Sequence, residues 1–160
     1  MTLRKSPSGR RIPVALGAQG YRSAVPVAHP ISAPSVFVPV TGPFVVDADT
    51  TEDLLAPAAG VWRYVGPSPA SVALRVSVAV SKPAGVIVTS ILRFALDGAG
   101  LVETEMPVQT IAGIPLNVAT FKTVSLVRGS EVSLEIANET NADDLQISAV
   151  RFGVVGNAAS

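Results

Sequence analysis

From Ser71 to Val80 the chain reads Ser-Val-Ala-Leu-Arg-Val-Ser-Val-Ala-Val, with large apolar residues alternating with small or polar ones. Successive side chains of a strand point to opposite faces of its sheet. Val72, Leu74, Val76, Val78 and Val80 therefore share one face, which must be core. The other face carries Ala73, Arg75, Ser77 and Ala79, small enough to let another subunit or a second layer come close.

The same grammar runs through the chain from residue 35, as short apolar runs separated by Gly, Pro, Asn and Asp, with no helical period. Gly60 to Gly66 predicts one strand. Val86 to Leu96 predicts another, closed by Asp97-Gly98, a dipeptide that tolerates the positive φ angles of a tight hairpin. Leu101 to Met106 is expected to return beside it, and further strands are expected at Leu116 to Val127, Glu131 to Ala137 and Leu145 to Val155. The last of these changes phase. Leu145, Ile147 and Ala149 lie on one face and Val150, Phe152 and Val154 on the other, which predicts a bulge near Ser148 or burial on both faces. So many short strands predict an all-β fold, an antiparallel two-sheet jelly-roll sandwich spanning residues 35–157.

Residues 1–34 differ. Pro7, Pro13, Pro26, Pro30 and Pro34, with Gly9, Gly17 and Gly20, interrupt any helix and leave each pre-proline residue extended, which predicts an extended N-terminal arm. Ordering such a segment costs about 1–2 kcal/mol per residue, so it is expected to order only on a partner surface. Arg4, Lys5, Arg10, Arg11 and Arg22 all lie in it and no Asp or Glu precedes Asp47, whereas the rest of the chain sets seven Lys/Arg against twelve Asp/Glu. A basic arm on an acidic body suits an acidic partner.

Composition narrows the chemistry. Of the 160 residues, 48% are hydrophobic and only 15% charged, against about 25% charged in an average soluble protein, so part of the outside is expected to be covered by further copies of the chain. With no cysteine and one histidine, His29, there is neither a disulfide framework nor a zinc site, and the several histidines of a cupin metal centre are missing. A catalytic triad has no base to use except His29, set between Ala28 and Pro30. No apolar run follows the N-terminal charges and none reaches about 18 residues, so neither a cleaved signal nor a membrane span is expected. Few aromatics argue against stacking on single-stranded nucleic acid.

The remaining motifs have ordinary readings beside functional ones. Asp47/Asp49/Glu52/Asp53 and Asp143/Asp144 are oxygen-rich but lack calcium-loop spacing. Glu103 and Glu105 would share a strand face, whereas a glycosidase pair must flank a cleft. Asn138-Glu139-Thr140 fits a glycosylation sequon. Trp62 and Tyr64 could form a sugar platform, but burial in the sandwich is the stronger expectation. No catalytic residue, metal ligand or cofactor is predicted.

The stretch Val124-Ser125-Leu126-Val127-Arg128-Gly129-Ser130-Glu131-Val132-Ser133-Leu134-Glu135-Ile136-Ala137-Asn138-Glu139-Thr140 resembles the late strands of the C1q/tumour-necrosis-factor-like jelly roll, in which a Leu-x-x-Gly-Asp-x-Val turn precedes an alternating strand ending in Asn. Ser130 stands where that family usually has Asp. Phe94-Ala95-Leu96-Asp97-Gly98 resembles its mid-domain hairpin, and Arg151-Phe152-Gly153-Val154-Val155 its closing strand, so the likeness covers about residues 35–155. The resemblance implies a homotrimer and, with the basic arm, a bacteriophage virion protein of the decoration or cement kind. Such a protein is soluble in the host cytoplasm before assembly. It then sits on the capsid exterior, with Arg4, Lys5, Arg10, Arg11 and Arg22 on the major capsid protein or another virion component. Trp62, Tyr64, Phe94, Phe121 and Phe152 are expected to serve core or oligomer packing. The alternative is a fibre or spike head that binds a host receptor or glycan.

Overall fold

The computed structural model describes residues 14–157, which form twelve strands and one short 3-10 turn. The strands are β1 (Val14–His29), β2 (Val38–Pro39), β3 (Val45–Val46), β4 (Leu54–Ala58), β5 (Val61–Tyr64), β6 (Ala70–Ser81), β7 (Val88–Leu96), β8 (Ala99–Gly100), β9 (Met106–Thr110), β10 (Leu116–Leu126), β11 (Glu131–Asn138) and β12 (Leu145–Asn157). One sheet has the order β10-β6-β12-β1-β3, and the other the order β4-β5-β11-β7-β8, with β2 also paired to β11 and β9 to β7. Every named ladder is antiparallel. This is the predicted two-sheet jelly roll.

The core lies between the sheets. Val72, Leu74, Val76, Val78 and Val80 of β6 are all buried, as their alternation requires, facing Phe94, Val132, Leu134 and Ile136 of the other sheet. Phe94 and Phe152 stack across the interior with centroids 5.7 Å apart. Trp62 is buried with its indole N–H donating to the Phe152 carbonyl at 3.4 Å, and the buried Tyr64 donates its hydroxyl to Ser68 O at 2.6 Å. Both aromatics are structural. At Asp97 and Gly98 φ is +52° and +79°, the pair of left-handed residues that a two-residue hairpin demands, and the β12 ladder slips between Ile147 and Ala149, where the phase change predicted a bulge.

Two expectations need correction. Val14–His29 do not belong to a detached arm: they form β1, paired with β12 from Val14↔Gly156 to His29↔Leu145. The prolines that suggested an arm are accommodated by place. Pro26 falls in the register break between Arg22 and Val27, where no ladder bond is required of it, and Pro30 follows the strand's last residue. Gly20 is there because a Cβ would come within 2.2 Å of Val150 O on the paired strand. Secondly, Leu101 to Met106 is no strand, since a 3-10 turn over Val102–Thr104 intervenes before β9 takes up the pairing with β7. Of the residues expected in core or oligomer packing, Phe121 lies outside the core.

Candidate interface on the five-stranded sheet

Strand register fixes what the outer face of the five-stranded sheet presents. In the ladders β10-β6, β6-β12 and β12-β1, residues directly paired point to the same face. Phe121, Arg75, Gly153 and Ala18 thus form one row across four strands, and Ala119, Ser77, Arg151 and Gly20 the next. A third row holds Asn117, Ala79, Ala149 and Arg22. Between the large side chains the face is built from Ala, Gly and Ser, and its backbone is correspondingly open to close approach.

Phe121 stands out on this floor, 75% exposed at the sheet edge. Its neighbour β10 residues Ala119 and Thr123 are exposed as well, whereas Val118 and Leu126 turn inward and are buried. An aromatic ring placed on the outer face of a strand gains nothing from the chain's own core. At the other side of the face Arg151 donates from both terminal nitrogens to the two oxygens of Asp47, one at 2.8 Å, in a bidentate pair that ties the segment after β3 to β12. Among the described residues, Arg22 and Arg75 make no ion pair.

Of the sequence-predicted residues, the structure brings Trp62, Tyr64, Phe94 and Phe152 together in the core and puts Phe121 and Arg22 on the outer face. Arg4, Lys5, Arg10 and Arg11 lie outside the described residues. The Asp47–Arg151 pair was not legible in the sequence, because its members are 104 residues apart.

Each acidic cluster has one carboxylate engaged by an internal cation, Asp47 by Arg151 and Asp143 by Lys82. Asp143 accepts from the ammonium of Lys82 at 2.6 Å, so an internal cation holds this carboxylate, and Lys82 and Asn141 lower its pKa below the usual carboxylate range. Glu103 pairs with Lys122 and Glu105 with Arg93, each at 3.2 Å, so the two carboxylates serve different partners. Among the described residues no group of three or more His, Cys, Asp or Glu is arranged to hold a metal ion. The sequon asparagine, Asn138, is buried: its amide donates to Asn141 Oδ1 at 2.7 Å and Asp143 O at 3.0 Å, and its oxygen accepts from the N–H groups of Thr140 and Asn141. A glycan has no access to that nitrogen in the folded chain.

No protein-family profile matches the chain and no curated protein matches it. Solved structures do. Murine APRIL at pH 5.0 superposes with a TM-score of 0.54 at 10% identity, over 88% of this chain and 98% of that one. The vertex protein P5 of PRD1 gives 0.52 at 7% identity, over 91% and 99%, and the Eiger TNF of S. frugiperda 0.52 at 12%, over 91% and 96%. At such identities the likeness is one of fold, and the fold of this chain is the tumour-necrosis-factor-like jelly roll that its late strands resembled.

Proposed function

We propose that this chain is a structural protein of a virion, a homotrimer that decorates the capsid exterior and stabilises the head by holding major capsid protein through its basic N-terminal segment. The observation that carries the reading is Phe121, three-quarters exposed beside a floor of Ala, Gly and Ser on the outer face of the five-stranded sheet. A second copy laid against this face buries the ring at little steric cost. The vertex-protein neighbour supports a virion setting. Val14 pairs with Gly156 near the end of β12, and the segment bearing Arg4, Lys5, Arg10 and Arg11 is joined to the sandwich through this residue. Three such tethers on one trimer bind with high effective concentration. Light scattering at low micromolar concentration tests the assembly: a persistent trimer is expected, and a stable monomer overturns the proposal. Deleting residues 1–13 should release the protein from capsids without changing its mass in solution.

A second reading, a fibre or spike head that grips a receptor by its loops, is favoured by Val86, Ile87 and Ile114, exposed on neighbouring loops at the end of the sandwich opposite Val14. Reproducible saccharide binding on a glycan array, with no binding to capsids, would favour it.

A further inference from the structure

The one histidine of the chain closes β1 in a setting where the neutral ring accepts a backbone N–H that the protonated ring could not. His29 is 2% exposed. Its Nε2 accepts the N–H of Thr41 at 3.0 Å, so that nitrogen carries no proton, and Nδ1–H donates to Val27 O at 3.0 Å. Both ring nitrogens are thus used, one as acceptor and one as donor, which is the complement of a neutral imidazole. Adding a proton to Nε2 removes the acceptor of a part-buried backbone N–H. The new donor can turn only to Thr41 O, 3.2 Å away, which already accepts the Tyr21 hydroxyl at 3.2 Å.

Among the described residues no carboxylate forms an ion pair with the ring. The ionisable groups on the elements packed here are Tyr21 on β1 and Asp144 just before β12; Asp144 Oδ1 is taken by the N–H of Ile31 at 3.2 Å, and Arg22 points from the opposite face of the sheet. Burial holds the imidazole below its ordinary pKa, against the smaller opposing effect of the two backbone bonds.

The segment that Thr41 opens is an outlying one. Gly42, at φ +151°, lets the chain turn over the Tyr21 ring, where a Cβ would come within 2.5 Å of the ring. Phe44 then packs edge-on against Tyr21, centroids 5.1 Å apart, and Val45–Val46 form β3, the two-residue edge strand of the five-stranded sheet. β3 pairs with Gln19 and Gly20 and is anchored at both ends, by the turn before it and, after it, by Asp47, whose N–H donates to Ala18 O at 2.8 Å and whose carboxylate meets Arg151.

We propose that His29 is an acid-operated latch: neutral, it pins the Thr41 turn to the end of β1, and protonated, it releases that turn and loosens the near end of the sheet's edge strand. The latch belongs to the single chain and stands whether or not the chain trimerises. Because the chain has no other imidazole, His29 is its one side chain whose ordinary pKa falls between 5 and 8.

The test is amide hydrogen exchange of the full-length protein by NMR across pH 7.5 to 4.5, alongside titration of the His29 ring signals. One proton linked to opening predicts a Thr41 protection factor that falls about tenfold per pH unit below the point at which the closed ring starts to lose ground to the protonated open form. Phe94, whose N–H is held in the core by Thr104 Oγ1, exchanges only by global unfolding and should stay far better protected than Thr41 across the range. In His29→Gln, whose amide oxygen can accept from Thr41 but does not titrate, the fall should vanish. Thr41 protection that stays flat in the wild type, or a fall that survives in His29→Gln, would overturn the proposal; should the variant not fold, the wild-type series decides alone.

Discussion

Lys82 and Asp143 form a one-sided ion pair: the lysine side chain has no exposed surface, while the carboxylate it meets at 2.6 Å is 46% exposed. The ammonium also donates to Val86 O at 2.8 Å, so the pair pins the loop after β6 to the loop before β12. A charge in such a place depends on its partner far more than the partner depends on it.

Removing the two ends should therefore have unequal effects. Asp143→Ala strands a buried ammonium, whereas Lys82→Met fills the same space with an uncharged chain and leaves Asp143 to water. We expect Lys82→Met to lie within about 1 kcal/mol of the wild type in urea unfolding, and Asp143→Ala to be clearly the less stable. Equal losses would contradict the one-sided account.

Phe121→Asp is expected to leave the unfolding midpoint of the isolated chain within about 0.5 kcal/mol of wild type, because the ring is exposed. The same change should convert a trimer to monomer in light scattering. Loss of both fold and assembly would return Phe121 to the core.

Two glycines of the five-stranded sheet should separate fold from assembly. At Gly20 a Cβ meets backbone at 2.2 Å, so Gly20→Ala should destabilise by about 1–3 kcal/mol. At Gly153 the nearest atom to a Cβ is Ala18 Cβ at 3.7 Å, an ordinary contact, and Gly153→Ala should be neutral or stabilising by up to about 1 kcal/mol in the monomer. Any effect of Gly153→Ala on oligomer mass then reports a second copy lying over this face.

Stability should fall with acid in two steps. The folded pKa of His29 is depressed, so its neutral form favours the fold, and thermal stability should begin to drop as pH falls below the ordinary histidine value of 6.5 and level off below the folded value. The pKa of Asp143 is also depressed, but for a carboxylate this stabilises the charged form, so its contribution is intact above 3.8 and is lost as pH falls through the folded value. Melting curves of His29→Gln should lack the first step and keep the second.

Asn138→Ala should cost about 2–4 kcal/mol, since it removes the side chain that satisfies two backbone N–H groups and one carbonyl in the loop before β12. Differential scanning calorimetry checks this, and a change below 1 kcal/mol would show that water replaces the side chain there.

The alternation of β6, the Asp97-Gly98 hairpin and the phase slip in β12 were all readable along the chain because each is decided within a few residues: by the two-residue period of a strand, by which residues tolerate positive φ, and by which side chains must face the core. Sequence alone therefore determined an all-β sandwich and most of its core. Only the tertiary structure decided that Val14–His29 are a strand, because what admits Pro26 is a break in the pairing with β12 and what requires Gly20 is the Val150 carbonyl, partners more than a hundred residues away. The same holds for Phe121: alternation gave it a face but not which face was inside, and an edge strand has a core on one side only. His29, Thr41, Lys82 and Asp143 were isolated polar residues in the sequence. Their roles came from enclosure, where a single proton or a single missing partner acquires weight that it does not have in water.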